Sequence, residues 1–233
     1  MDLDTLRQNP ITIAIDGHSS TGKSTLAKQL AKTLGYVYVD TGAMYRAVTL
    51  YAMRKGWVSE DHLDKSKLIE GLPEIQLLFK FNESLGYGEM YLNGENVEQE
   101  IRQLEVSKLV SKIAEVSEVR TKLVEQQQLM GQSKGVVMDG RDIGTVVFPN
   151  AEMKLFMTAS AETRAKRRYE ELLKKGQRVS FEEVLQNVVE RDYIDSNRAD
   201  SPLIQAVDAR VLDNSGLSKE DQYQVVLQWL LER

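Results

Sequence analysis

Residues 17–24 read Gly17-His18-Ser19-Ser20-Thr21-Gly22-Lys23-Ser24, a complete G-x-x-x-x-G-K-[ST] loop. Few short patterns constrain a chain so tightly, because this loop works only between a buried strand and the start of a helix. Both flanks are present. Ile11-Thr12-Ile13-Ala14-Ile15 is β-branched and apolar, as a buried parallel strand requires. After the loop, Leu26, Leu30 and Leu34 recur at helical spacing, and Gly35 stands where a helix would end. Successive backbone N–H groups of such a loop cradle phosphates, aided by the positive end of the helix dipole. Gly17 to Thr25 therefore form a candidate nucleotide site, with Lys23 reaching the β- and γ-phosphates and Ser24 placed on Mg²⁺.

Apolar β-like runs alternate with helical stretches along the remaining chain, which predicts an α/β fold with a five-stranded parallel sheet and helices on both faces. The expected strands are 11–15, 36–39, 136–138, 154–157 and 210–212. Ser180 and Ser218 each precede an acidic residue at capping-box spacing and predict helix starts. One region breaks the rhythm. Ile75, Leu77, Phe79 and Phe81 alternate at period two, and the Asn93-Gly94 pair signals a tight turn. Residues 73–101 thus read as a small antiparallel β insertion in a core formed by 1–72 and 102–233. A helical pattern follows over 104–130.

The 233 residues carry a net charge of −5 and no cysteine. The charge argues against a general nucleic-acid surface, and the absence of cysteine removes disulfides, thiolate nucleophiles and cysteine metal sites. Two histidines leave little room for histidine-based catalysis. No segment is long and apolar enough to span a membrane, and the polar residues 2–7 lack a signal-peptide core. A cytoplasmic monomer is the expectation.

Phosphoryl transfer needs positioning and positive charge, and arginine supplies both through its planar fork. Asp40-Thr41-Gly42-Ala43-Met44-Tyr45-Arg46 follows the second expected strand, with Thr41 able to cap the next helix and Arg46 one turn into it. Asp139-Gly140-Arg141-Asp142 follows the third, where Arg141 could bind phosphate and Asp139 could stand behind Mg²⁺. A local turn with an Arg–Asp pair is the plainer alternative. Arg164, Arg167 and Arg168 share a face of a helix opening near Ser160, as a lid over ATP or as solvated surface. Arg191, Asp195 and Arg198 fall on one face of the next helix, where an exposed ion-pair ladder fits the spacing equally well.

The loop, Asp-Thr-Gly-Ala-Met-Tyr-Arg, Asp-Gly-Arg-Asp-Ile-Gly-Thr-Val-Val-Phe-Pro and Glu-Arg-Asp-x-x-Asp-x-x-Arg occur in one order over nearly the whole chain. Together they resemble the bacterial cytidylate kinases, the (d)CMP kinase branch of the nucleoside monophosphate kinases. The resemblance implies a P-loop core with a helical lid over about 160–180 and a monophosphate-binding domain containing the insertion. It implies transfer from ATP to CMP or dCMP, with Mg²⁺. It assigns Arg46 and Arg141 to the acceptor phosphate, and Thr41 and Asp142 to the cytosine edge. Arg120 and Arg198 fall on arginines that contact the monophosphate nucleotide, and Ser111, Arg191 and Asp195 on the sugar-contacting set. Tyr45 joins the CMP residues, Arg164 and Arg167 the ATP residues, and Lys23, Arg141 and Arg168 the catalytic charges. His18 stands where many relatives carry Pro, so its ring is expected to be incidental. Thr41 stands where Ser is common.

Two rival functions share the loop. A GTP-dependent switch would need an Asn-Lys-x-Asp motif, and the chain has no Asn-Lys pair. A kinase for another monophosphate or a small alcohol shares the fold, which alone assigns no function.

Overall fold

The computed structural model describes residues 2–233. The chain forms two compact units, the first running to Tyr38 and resuming at Ser133, the second spanning Val39–Gln132.

The first unit is built on β1 (Thr12–Gly17), β6 (Val136–Gly140), β7 (Met153–Thr158) and β8 (Arg210–Asp213), and β2 (Val37–Asp40) completes the five-stranded order β2-β6-β1-β7-β8. β1 pairs parallel with β6, Thr12 opposite Val136, and with β7, Ile13 opposite Met153; β7 pairs parallel with β8. Every residue of β1 and β6 is buried, which is why both read as near-continuous apolar runs. α1 (Leu3–Gln8) precedes β1; α2 (Lys23–Leu34) buries Leu26, Leu30 and Leu34, and Gly35 ends it in the left-handed conformation as its position predicts. α7 (Ala161–Lys174) starts at a Ser160 cap, and both expected capping boxes close, at Ser180 for α8 (Phe181–Asn197) and at Ser218 for α9 (Lys219–Leu231). The loops that leave the carboxyl ends of β1, β6, β7 and β8 collect at one edge of the sheet, where doubly wound folds bind ligands.

The second unit holds α3 (Thr41–Arg54), α4 (Lys65–Gly71), β3 (Leu77–Asn82), β4 (Tyr87–Leu92), β5 (Glu95–Asn96), α5 (Leu104–Ala114) and α6 (Ser117–Met130). The β-rich insertion is antiparallel, Leu77 facing Leu92 and Tyr91 facing Asn96, and Asn93 and Gly94 both take positive φ in the turn. Met90 and Leu92 alternate inward to a core with Met44, Val48, Leu68, Ile101, Ile113 and Leu123. The helical pattern over 104–130 is not one helix. Val116 is extended at φ −79°, ψ 111° and buried, so the chain leaves α5 to bury it before restarting as α6.

Candidate active site

Local sterics fix the phosphate loop. Gly17 lies opposite Met157 in the sheet, takes φ +145°, and an added Cβ would fall 2.1 Å from the Met157 carbonyl oxygen. Only glycine fits there. Ser20 also holds positive φ, at 59°, and Gly22 starts α2 at φ 96°. Strain of this kind persists where surrounding structure enforces it, often around ligands. Lys23 is buried and donates to the carbonyls of Gly17 (2.7 Å) and His18 (2.6 Å). Burial and the nearby Arg141 charge push its ammonium down to about 7, against the opposing pull of Asp139, Asp16 and Asp195.

After β6, the Asp139–Asp142 run is not a self-contained turn. Asp139 accepts from Ser24 Oγ (3.0 Å) and from Tyr38 Oη (2.7 Å). The partner of Arg141 is Asp195 from α8, at 2.7 Å, rather than the adjacent Asp142. Burial works against both charges of that pair, yet Arg141 holds Asp195 below the ordinary carboxylate range, with Arg191 and Arg198 adding to the effect. Arg198 closes α8 as its C-cap, donates from Nε to Ser201 (2.8 Å), and lies 3.9 Å from Asp142. So Arg141, Asp142, Arg191, Asp195 and Arg198 form one electrostatic group, with Asp142, Asp195 and Arg198 buried and Arg141 and Arg191 half-buried, rather than an exposed ladder along a helix.

The three arginines expected on a lid separate in depth. Arg164 is buried at the root of α7, donating to Ala159 (2.9 Å), to the Ser19 carbonyl of the phosphate loop (3.3 Å) and through both terminal nitrogens to Asp192. Arg167 reaches Thr21 O (3.4 Å) and Asn214 Oδ1 (3.0 Å). Arg168 pairs with Glu171 one turn on, at 3.1 Å. The His18 ring stands beside this group, its Nδ1 3.2 Å from Asp192 Oδ1. Asp192 and Asn214 are the residues that sequence reasoning missed. Asp192 stands directly after Arg191 in the quoted motif, but nothing in its spacing announces His18 and Arg164 as partners.

In the second unit, Asp40, not Thr41, caps α3: its carboxylate accepts from Ala43 N at 2.9 Å, because a residue with extended geometry just before the helix can reach that donor. Thr41 becomes the first helical residue and is buried. Asp40 also joins Arg46 (3.1 Å) to Arg102 (2.8 Å), and Arg102 continues to Glu98 at 2.6 Å. Burial alone would raise the Asp40 carboxyl; Arg102 and Arg46 together hold it far below its usual value. Arg102 had no signal beyond its charge. Arg120 is almost fully buried, its guanidinium carbon 5.6 Å from the Tyr45 ring centroid, and Ser111 is buried on α5.

The comparisons follow the same lines as the geometry. A family model described as cytidylate kinase matches residues 13–231. The chain is 70% identical over 218 residues to a cytidylate kinase of Flavobacterium johnsoniae, covering 94% of this chain and 95% of that one. It is 57% identical over 223 residues to a cytidylate kinase of Parabacteroides distasonis, covering 96% of each. A solved structure of an uncharacterized protein from Eubacterium ventriosum shares the fold alone, with a TM-score of 0.52 at 12% identity over 96% of this chain and 99% of that one. With a phosphate loop set before α2, an acid–arginine group after β6, and matches that run through both units, the chain belongs to the cytidylate kinase family.

Proposed function

We infer that the protein transfers the γ-phosphoryl group of ATP to CMP or dCMP, giving ADP and CDP or dCDP. It thereby acts in pyrimidine nucleotide metabolism. The observation that carries the reading is the carboxyl edge of the parallel sheet, where Lys23 and Ser24 follow β1 and Arg141, paired with Asp195 of α8, follows β6. A donor-phosphate loop thus shares one sheet edge with charge suited to a second phosphate.

Each group then has a task. The loop from Gly17 to Thr25 holds the ATP phosphates, and Lys23 exchanges the Gly17 and His18 carbonyls for phosphate oxygens when ATP arrives. Arg167 and Arg168 supply charge over the transferring group, and Arg164 anchors their helix to the loop. On the acceptor side, Arg141 and Arg46 bind the CMP phosphate, each oriented by its own carboxylate, Asp195 or Asp40. Asp142 and Thr41 read the cytosine amino edge, where a carboxylate accepts and a hydroxyl assists. Ser111, Arg191 and Asp195 contact the sugar, while Arg120, Arg198 and Tyr45 complete the CMP contacts. Little covalent work is asked of these residues; alignment and charge carry the rate.

The Ser24 hydroxyl and the Asp139 carboxylate, 3.0 Å apart, are hard oxygen donors of the kind Mg²⁺ takes. Ser24 would hold the ion, with Asp139 behind it, and bound Mg²⁺ supplies charge neutralisation on the triphosphate. We propose that the protein acts as a monomer in the cytoplasm; no helix among the described residues is long and apolar enough to cross a membrane.

The test is Asp142→Ala. It raises KM for CMP about 100-fold or more, as loss of a charged hydrogen bond to the base does, while leaving ATP affinity within about 2-fold. Equal loss of both, in folded protein, would contradict the base-reading role.

A further inference from the structure

Asp16 is the penultimate residue of β1 and stands immediately before the phosphate loop, and the transfer described above makes no use of its side chain. It is 4% exposed. A carboxylate that deep is costly unless its oxygens are satisfied. Both are: Oδ1 accepts from Ile143 N–H at 2.8 Å and Oδ2 from Gly144 N–H at 2.7 Å. These donors open the π-type turn Ile143–Val147, whose N-cap is Asp142 at φ −144°, ψ 25°. One peptide bond therefore separates the clamped backbone from the residue assigned to the cytosine edge. The fit is close. A Cβ on Gly144 would meet Lys154 Cδ at 3.1 Å and Asp16 Oδ2 at 3.3 Å, so the absent side chain is what lets the turn rest on the carboxylate.

We propose that Asp16 is a positioning residue for acceptor recognition, fixing the Arg141–Asp142 segment for CMP through the backbone N–H groups of Ile143 and Gly144. The inference rests on the reading of Asp142 as the residue that meets the base. A double acceptor is needed, and protonation turns one oxygen into an O–H facing an N–H. Burial raises the Asp16 carboxyl to about 6 despite the two N–H donors; the Asp142 charge adds to the rise and Lys23 opposes it. The other charged groups around it are engaged elsewhere. Lys154 on β7 binds Asp208 at 2.9 Å and the Pro149 carbonyl, and Asp139 on β6 takes Ser24 and Tyr38. CMP recognition accordingly weakens as pH falls through about 6, because the hydrogen bonds that are lost are those to the Ile143–Gly144 turn and not to the ATP loop.

Steady-state KM values for CMP and ATP, measured from pH 5 to pH 8 for the wild type, Asp16→Asn and Gly144→Ala, test this. Comparing enzymes on one substrate cancels the titration of the CMP phosphate itself. At pH 7.5 Asp16→Asn raises KM for CMP about 10-fold and KM for ATP less than about 2-fold, and the wild-type advantage shrinks toward unity below about pH 6. A CMP advantage independent of pH, or an equal rise in both KM values, overturns the proposal. Should Asp16→Asn not fold, Gly144→Ala decides: it pushes the turn off an intact carboxylate, and an unchanged KM for CMP overturns the clamp. A folded wild type without CMP turnover removes the functional reading first, and this inference with it.

Discussion

Lys23, Ser24 and the backbone from Gly17 to Gly22 are local in sequence, so their chemistry was legible before any fold was known. Asp192 was not. It gathers His18 and Arg164, residues brought together only when α8 packs on α7 and the loop, and no periodicity encodes such a meeting. Burial raises the Asp192 carboxyl, but His18 and Arg164 outweigh it and hold it below its ordinary value. A carboxyl depressed by folding contributes stability above its unfolded value and loses it as pH falls through the folded one. Asp192→Asn should therefore be less stable than the wild type near neutrality, with the gap closing in acid melts. It should also raise KM for ATP about 10-fold, since Arg164 then bonds the Ser19 carbonyl without its carboxylate partner. A gap that widens as pH falls contradicts this account. Asp16 runs the opposite way. Its carboxyl is raised from 3.8 to about 6, so its contribution is present below the unfolded value and is lost as pH rises to about 6. The shift is worth about 3 kcal/mol, and the Asp16–turn clamp is retained in spite of it.

Elements were read well where one period dominated. β1 and β6 are buried on both faces and announced themselves as apolar runs; the insertion announced itself by alternation and by Asn93-Gly94. The α5–α6 break was hidden because Val116 fits the helical phase of both neighbours while its backbone is extended. The start of α3 was misread for a related reason. Both Asp40 and Thr41 are good caps by type, and only the geometry shows that the Asp40 carboxylate takes Ala43 N. That carboxylate does two tasks at once, capping α3 and separating the Arg46 and Arg102 guanidiniums. Asp40→Asn separates them, because Asn caps a helix as well as Asp does. The substitution should still destabilise the protein by about 3 kcal/mol, the usual consequence of leaving buried charge uncompensated, and raise KM for CMP through a displaced Arg46. Chemical denaturation that finds the variant as stable as the wild type would show that the two arginines do not depend on the bridge.

At the scale of the whole molecule, the alternation of strand and helix fixed the α/β class, and the resemblance across the chain pointed to the family that the comparisons bear out. The division after Tyr38 and after Gln132 left little trace in composition, since one boundary falls inside β2 and the other in the short segment from Gly131 to Gly135 just beyond α6. The residues that the resemblance assigns to CMP are spread along the chain, from Thr41, Tyr45, Arg46, Ser111 and Arg120 to Arg141, Asp142, Arg191, Asp195 and Arg198. The central claim is that the protein's phosphoryl acceptor is a pyrimidine monophosphate. Initial rates of ADP formation from ATP and Mg²⁺ with CMP, dCMP, UMP or AMP as acceptor test it most directly. CMP and dCMP should turn over at about 1–100 s⁻¹, and AMP should fall at least about 100-fold lower in kcat/KM, because a site built to pair with the cytosine edge leaves buried polar groups unmatched by adenine. Folded protein that forms no ADP with CMP, or that uses AMP as readily, would contradict it.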